Sequence, residues 1–441
     1  MPPLHAHQTS RFGIDTTMRW MVALTIVPVG FRTLGTELAV ADFVAPVGLG
    51  WLFLRWSTLR QVHPELGRFA RVATLVAALA VASWASIALF VPRVSPVATL
   101  LTMGFFLRSL LVAMVILGVV AIDPQRARSL FARTIVLVSL VLSSSAILSG
   151  GSIRREFRSD FTNGTVVQVR STFFGYNLYG QGQVNSYSLY FSLAVAMAVM
   201  LAATRSQSAI WRLSAAVSGI LSLYVVLQAG SRTGILFLLV YAALVMKRVG
   251  KNRVQAMGLP IVLVFTIVAI QAPSLLGLPS ILSDRLAGLT AADVGNVEEL
   301  SNGRLFQARQ MMNDLSRSPL VGTGFFDFDL YHAGSLDVEG SPHNQWLGAA
   351  HKMGIPAGIL YTYFFLLAAL RSRTSLMSAA LWAGIAACVV IDGVTVPVTA
   401  VLLSMIMAIA LFAPTDSPEP ASQSSDQTAR LNQDHFVASG D

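Results

Sequence analysis

One cysteine, Cys388, is all the thiol chemistry this chain holds. With a single thiol, neither an intramolecular disulfide nor a thiolate metal cluster can form. Charge is scarce as well. Only 12% of the residues are Asp, Glu, Lys or Arg, while 54% are hydrophobic and the mean hydropathy is +0.64. Soluble domains carry about 25% charged residues, so this composition excludes a water-soluble globule. No Gly-rich phosphate-binding loop is present, and no His/carboxylate cluster stands out at metal-ligand spacing. No cofactor and no metal are therefore expected. An aromatic-interleaved basic patch is also missing, which argues against a nucleic-acid partner despite the net charge of +9.

Long apolar runs are plentiful. About twelve can be read, near 17–36, 39–56, 69–91, 97–122, 131–150, 186–204, 209–228, 232–247, 254–272, 343–366, 375–393 and 395–413. Each is long enough to cross a hydrocarbon core of ~30 Å as a helix. Arg32 and Glu37 interrupt the first pair. The bases fall between alternate runs: Arg55, Arg60, Arg68 and Arg71, then Arg126, Arg128 and Arg133, then Arg205 and Arg212, then Lys247, Arg248, Lys251 and Arg253, then Arg371 and Arg373. That periodicity sets topology, and the positive-inside rule puts both termini in the cytoplasm. The expected organisation is a cytoplasmic tail over 1–16, a transmembrane domain over 17–413 and a disordered cytoplasmic tail over 414–441, the last rich in Ser, Pro, Gln and Asp. Arg108 is the clearest charge inside a span, and no internal repeat points to a transporter.

Two outer connections are long. The first, near 150–183, carries Arg154, Arg155, Arg158 and Arg170 against the positive-inside trend. It reads either as a solvated loop or as a basic surface attracting an anionic substrate. The second, 273–342, is acidic on balance and far longer than an ordinary connection. Leu305, Ala308, Met312 and Leu315 recur in it at helical spacing, predicting an amphipathic helix over 304–316. Its apolar face is expected to cover a substrate cavity. Ser318-Pro319 and Gly322-Thr323-Gly324 mark turns.

Chemistry gathers around this second loop. Arg232 opens a helix just before it, where free backbone N–H groups and a guanidinium can hold a phosphate. Arg304 opens the loop helix after an Asn-Gly turn. His343, suited to proton transfer near neutral pH, stands beside Asn344 at the start of the next span. Beyond them, Gly354 and Gly358 read as small residues for close helix packing, and His351 and Lys352 as an inter-helix contact or a cavity lining.

Arg232-Thr-Gly-Ile-Leu236 resembles the Arg-x-x-x-Leu motif of the bacterial O-antigen ligase/polymerase superfamily. His343-Asn344 followed by Gly354 resembles its His-[Asn/Ser/Gln]-x9-Gly motif, and Ser301–Arg304 with Pro319–Gly324 is similar to its large periplasmic loop. Ala357 departs from the Gly, Thr or Tyr that ends the second motif. The resemblance implies an all-α polytopic membrane glycosyltransferase with a GT-C-like fold and one large helical periplasmic loop. The resemblance also implies a place in the bacterial inner membrane with the active site facing the periplasm. The implied donor is an undecaprenyl-pyrophosphate-linked oligosaccharide. Arg232 and Arg304 would stabilise the pyrophosphate leaving group, His343 would act as general base, and attack opposite the leaving group would invert the anomeric carbon. Asn344, Arg170, Arg154, Arg155 and Arg158 are candidate substrate contacts. Partners implied are membrane lipids and the flippase and chain-length regulator of a polysaccharide pathway. A Wzy-type polymerase of an exopolysaccharide or O-antigen is the leading expectation. An O-antigen ligase acting on lipid A–core, a protein O-oligosaccharyltransferase and a lipid-linked oligosaccharide flippase are the alternatives.

Overall fold

A computed structural model describes residues 4–27, 30–33, 36–90, 96–148, 154–159, 167–173, 176–177, 184–204, 207–229, 232–249, 304–325, 344–372, 376–389 and 397–412. Thirteen helices are described: α1 (Leu4–Leu24), α2 (Val40–Val62), α3 (Leu66–Phe90), α4 (Pro96–Ile122), α5 (Pro124–Leu148), α6 (Val184–Ala203), α7 (Ala209–Ala229), α8 (Arg232–Val249), α9 (Arg304–Arg317), α10 (Gln345–Met353), α11 (Ile355–Arg371), α12 (Leu376–Ala387) and α13 (Pro397–Phe412). Two small antiparallel sheets accompany them. One is the hairpin β1 (Gly30–Thr33) with β2 (Thr36–Ala39), and the other is β3 (Arg154–Ser159), β4 (Val167–Phe173) and β5 (Tyr176–Asn177).

Four helices are long and apolar enough to cross a membrane, over Leu66–Leu89, Thr102–Ile122, Pro124–Ser145 and Ala209–Leu227. Shorter apolar helices cover Ser188–Ala203, Thr233–Lys247, Ile355–Arg371, Leu376–Ala387 and Thr399–Phe412. Exposed apolar side chains recur at helical spacing on α7, at Ile210, Leu213, Val217 and Ile220, as a lipid-facing stripe requires. The chain is a multi-pass membrane protein. The expected span 254–272, most of the 273–342 loop and the 414–441 tail lie outside the described residues.

Small residues let the helices close on one another. Gly48 of α2 lies against Val115 of α4, and Gly118 of α4 lies against Leu52 and Trp51 of α2. Along α5 and α7 the seam is polar, with Ser139 Oγ 2.7 Å from Ser218 Oγ and Ser143 Oγ 3.5 Å from Ser222 Oγ. Arg108 is not isolated: its guanidinium pairs with Asp42 in the first turn of α2.

The basic connections meet at one end of the bundle. Arg55 pairs with Asp15 at 2.9 Å, Arg19 with Asp123 at 3.2 Å and Arg371 with Glu65 at 2.9 Å. His63 Nε2 is 3.0 Å from Ala121 O, and Arg128 donates to Thr204 Oγ1 at 3.2 Å. Arg133 sits over the Trp211 ring, 5.0 Å from its centroid. The ends of α2, α4, α6 and α11 and the starts of α3, α5 and α12 are therefore on one level.

Two expected spans take a different course. The first, 17–36, is helical only to Leu24; beyond Pro28 the chain forms a hairpin whose register sets Arg32 opposite Glu37. A cross-strand pair of opposite charges favours that ladder over a buried helix. The other, 343–366, is a helical hairpin rather than one helix. α10 ends at Gly354, whose φ of 85° and ψ of 163° are accessible essentially to glycine alone, and α11 starts again with Pro356 in its first turn. The two helices fold back so that Gly358 lies on Ala350 and the Trp346 ring lies 5.7 Å from Phe365 and 6.2 Å from Tyr361. Gly358 is thus a packing glycine, as expected, whereas Gly354 is a turn glycine. His351 and Lys352 consequently lie toward the turn, above Asn344 rather than deeper than it.

Candidate active site

The start of α10 is fixed by its cap. Asn344 Oδ1 accepts the N–H groups of Trp346 at 3.1 Å and Leu347 at 3.0 Å, two of the donors a helix start leaves open. Gln345 N–H donates to Cys388 O at 3.0 Å and Trp346 Nε1 to Ile385 O at 3.3 Å, so α10 begins against the last turn of α12. On the other flank of α12, Gly384 lies against Phe237 of α8. Five residues before Phe237, α8 begins at Arg232. Its first turn is set by Gly234, which packs on Ser188 near the start of α6.

Helix rise puts these starts at one depth. Tyr361, whose hydroxyl is 3.3 Å from Gln345 Nε2, is about 15 Å of helix from Arg371. Cys388 is about 18 Å from the start of α12, and Arg232, reached through Phe237 and Gly384, stands about 20 Å from the basic end. The α10–α11 turn is higher. Ser83, about 27 Å along α3 from Glu65, donates to Val321 O and to Lys352 O, the latter at 3.0 Å. The starts of α8 and α10 are therefore recessed below a rim built by this turn and the 318–325 segment.

That segment closes the end of α10. Thr323 N–H donates to His351 O at 2.8 Å, Gly324 N–H to Lys352 O at 3.0 Å and Ile355 N–H to Pro319 O at 2.8 Å, satisfying carbonyls that a helix end leaves open. Gly322 and Gly324 have φ near +65°, and a β-carbon at Gly322 would fall 2.3 Å from His351 O.

α9 then descends along α10. Its predicted range is found, over Arg304–Arg317, but the buried face is rotated from the expected one. Gln307, Met311, Asp314 and Leu315 are buried, while Met312 is 57% exposed. The polar face turns inward because Asp314 finds a partner: its Oδ2 lies 2.9 Å from His351 Nε2, with both side chains buried. It is this rotated face, carrying Asp314, that packs on α10. Because Asp314 meets His351 and Pro319 meets Ile355, sequence rises in the same direction along both helices, and they run parallel. Counting back equal helical rise from Asp314 and His351 reaches Gln307 and Asn344. Arg304, three residues further back, therefore opens α9 about 4.5 Å beyond the level where α10 begins.

The starts of α8 and α10 thus lie at a similar depth, with α9 beginning about one turn beyond α10, and each start carries the positive end of a backbone dipole. Of Arg232 and Arg304 the structure describes the backbone; His343, immediately before the Asn344 cap, lies outside the described residues. Asn344 spends its oxygen on the cap, and its Nδ2 donates to none of the described residues. The remaining candidates lie on strands: Arg154, Arg155 and Arg158 on β3 and Arg170 on β4, in a register that sets Arg170 opposite Glu156 and places position 155 on the other face from 154 and 158. β4 touches α6, which links this sheet to the helix packed on the start of α8. The expectation of a metal-free site has also to reckon with Asp327-Phe328-Asp329, a carboxylate doublet outside the described residues. His351 makes the inter-helix contact expected of it, but sequence reasoning named neither its partner Asp314 nor the hydroxyl of Ser83.

No curated protein matches the chain closely enough to count as a relative. A family model described as O-antigen ligase, Wzy_C, matches residues 217–362. The match runs from α7 through α8, α9 and α10 into α11, and so contains all three helix starts and the segment that joins them. Over residues 217–362 the chain is similar to the O-antigen ligase family.

Proposed function

We propose that the chain is a glycosyltransferase of the bacterial inner membrane that joins lipid-linked oligosaccharide repeat units at the periplasmic face. What supports this reading is that the starts of α8 and α10, at Arg232 and Asn344, lie at a similar recessed depth, and that α9, which begins at Arg304, packs on α10. A sugar–pyrophosphate donor needs its leaving group's charge stabilised while the acceptor hydroxyl loses a proton. In a recess of low dielectric, two guanidiniums and three helix N-termini stabilise the departing pyrophosphate more strongly than they would in water. His343, next to Asn344 in sequence, takes the acceptor proton. The acceptor oxygen forms the new bond to the sugar C1 as the C1–phosphate oxygen bond breaks, with inversion, and the phosphoanhydride leaves on the carrier lipid. The donor is already activated, so no nucleotide is consumed.

The acceptor is read as a second lipid-linked repeat unit, which makes the enzyme a Wzy-type polymerase. The description of the matched family favours the second reading, transfer to lipid A–core by an O-antigen ligase. Ala357 separates the two less well than the motif suggests, because it is buried in α11 among packing side chains. Purified protein given only an undecaprenyl-pyrophosphate-linked repeat unit is expected to yield a ladder of longer glycans. A donor left unextended until lipid A–core is added overturns the polymerase assignment in favour of the ligase. No transfer under either condition overturns the glycosyltransferase reading.

A further inference from the structure

The loop helix reaches the site at a fixed register, and one buried contact sets it. Asp314 and His351 are 4% and 1% exposed and lie 37 residues apart in sequence, yet Oδ2 and Nε2 meet at 2.9 Å. His351 is tied on further sides: its carbonyl accepts Thr323 N–H at 2.8 Å, and its Nδ1 lies 3.5 Å from Thr323 Oγ1. The other bonds described at this junction, from Thr323, Gly324, Ile355 and Ser83, end on backbone carbonyls and so specify no particular side chain on α9. A carboxylate placed in a buried seam costs stability unless its partner is in place, so displacing α9 by one turn along α10 would leave both groups buried and unmatched. Such a pair selects a register more than it adds stability.

We propose that Asp314 and His351 are positioning residues for the transfer reaction: their contact fixes where α9 stands on α10, and hence where the Arg304 end of α9 stands relative to Asn344. The inference rests on the reading of Arg232, Arg304 and His343 as the site. Neither member of the pair touches substrate. Asp314 is about 15 Å of helix from Arg304, and His351 about 10 Å from Asn344. Their effect is confined to alignment, and a misplacement of about 1 Å at a reacting centre can cost roughly 100-fold in rate.

The test uses the full chain in detergent, with Asp314→Ala, His351→Ala, the milder Asp314→Asn and the exchanged pair Asp314→His with His351→Asp. Nitroxides at Met312→Cys on α9 and Ile359→Cys on α11 report the register, since both positions are exposed and Cys388 is buried. A narrow distance distribution is expected for the otherwise unaltered chain. It should broaden or shift with Asp314→Ala and narrow again with the exchanged pair. In transfer assays the single variants should lose kcat by roughly 10–100-fold with donor KM little changed, and the exchanged pair should recover most of that loss. An unchanged distance distribution in both Asp314→Ala and Asp314→Asn overturns the proposal, whatever the rate does. So does an exchanged pair no more active than either single variant while still folded. If the unaltered protein transfers no glycan, it is the proposed function that fails, and the distance measurement, which needs no substrate, still decides the role of the pair.

Discussion

Gly234 of α8 lies directly on the Ser188 hydroxyl of α6: a β-carbon at 234 would fall 1.9 Å from Ser188 Oγ and 2.9 Å from Val226 Cγ1. The first turn of α8, and Arg232 with it, is positioned by that close approach. Gly234→Ala is therefore expected to lower transfer on the order of 100-fold by shifting Arg232, with Ser188→Gly in the same chain restoring much of it. An active Gly234→Ala protein would show that this packing does not place the arginine.

Gly354 and Gly348 are ten and four residues from the same Asn344 cap, yet their substitution should have opposite results. Alanine at 354 meets Leu320 O at 2.1 Å and must hold a backbone conformation costing about 1–3 kcal/mol for a non-glycine residue. Alanine at 348 meets nothing within 4 Å and replaces a mid-helix glycine, a gain of up to about 1 kcal/mol. Thermal unfolding in detergent should show Gly354→Ala strongly destabilised and Gly348→Ala as stable as the parent or more so.

The two duties of Asn344 can be separated. Asn344→Ala removes the cap acceptor and should cost about 1 kcal/mol of stability. Asn344→Asp keeps the acceptor but replaces the Nδ2 donors with negative charge beside the pyrophosphate position. It should unfold at the parent temperature and bind donor poorly. Equal activity of Asp and Asn at this position would restrict residue 344 to capping.

Among the reacting groups, His343→Ala is expected to lower turnover by roughly 10²–10⁴-fold at normal protein levels. Arg232→Lys should fail almost as badly as Arg232→Ala, because an ammonium cannot make the planar two-bonded grip on phosphate. Arg304 should follow the same order more mildly. EDTA should leave transfer intact; a loss that magnesium restores would redirect attention to Asp327 and Asp329.

Topology is checked by reporter fusions. A fusion at Asn296 should behave as periplasmic and one after Pro414 as cytoplasmic, and the reverse result at Asn296 would place the site on the wrong membrane face.

The membrane character, the positions of α2 to α8 and the loop helix over 304–316 were legible from periodicity, because burial in lipid leaves long apolar runs that little else explains. Reading Gly354 as a packing glycine failed because its left-handed conformation is a property of the backbone, which composition does not reveal. From that error followed the inverted depth of Asn344 and His351. The rotated face of α9 escaped for another reason: apolar spacing favoured Met312, while the structure buries Asp314, whose partner lies 37 residues away. The β3–β4 ladder could have been found from the alternation in Val167-Gln-Val-Arg-Ser-Thr-Phe173, although the basic charge of the stretch drew the eye instead.

The bonds between residues 318–325 and the α10–α11 turn have a thermodynamic consequence. Thr323, Gly324 and Phe325 are buried, and the N–H groups of Thr323 and Gly324 and the carbonyls of His351 and Lys352 that accept them lose their partners if the segment lifts away. Each backbone group stripped of its partner in such surroundings costs several kcal/mol. Although residues 304–325 belong to the loop in sequence, they open only together with the membrane helices, as part of the same cooperative unit. In hydrogen exchange, the amides of Thr323 and Gly324 should be protected to the same degree as those of α11, and a protease that nicks the loop should leave this stretch attached to the bundle.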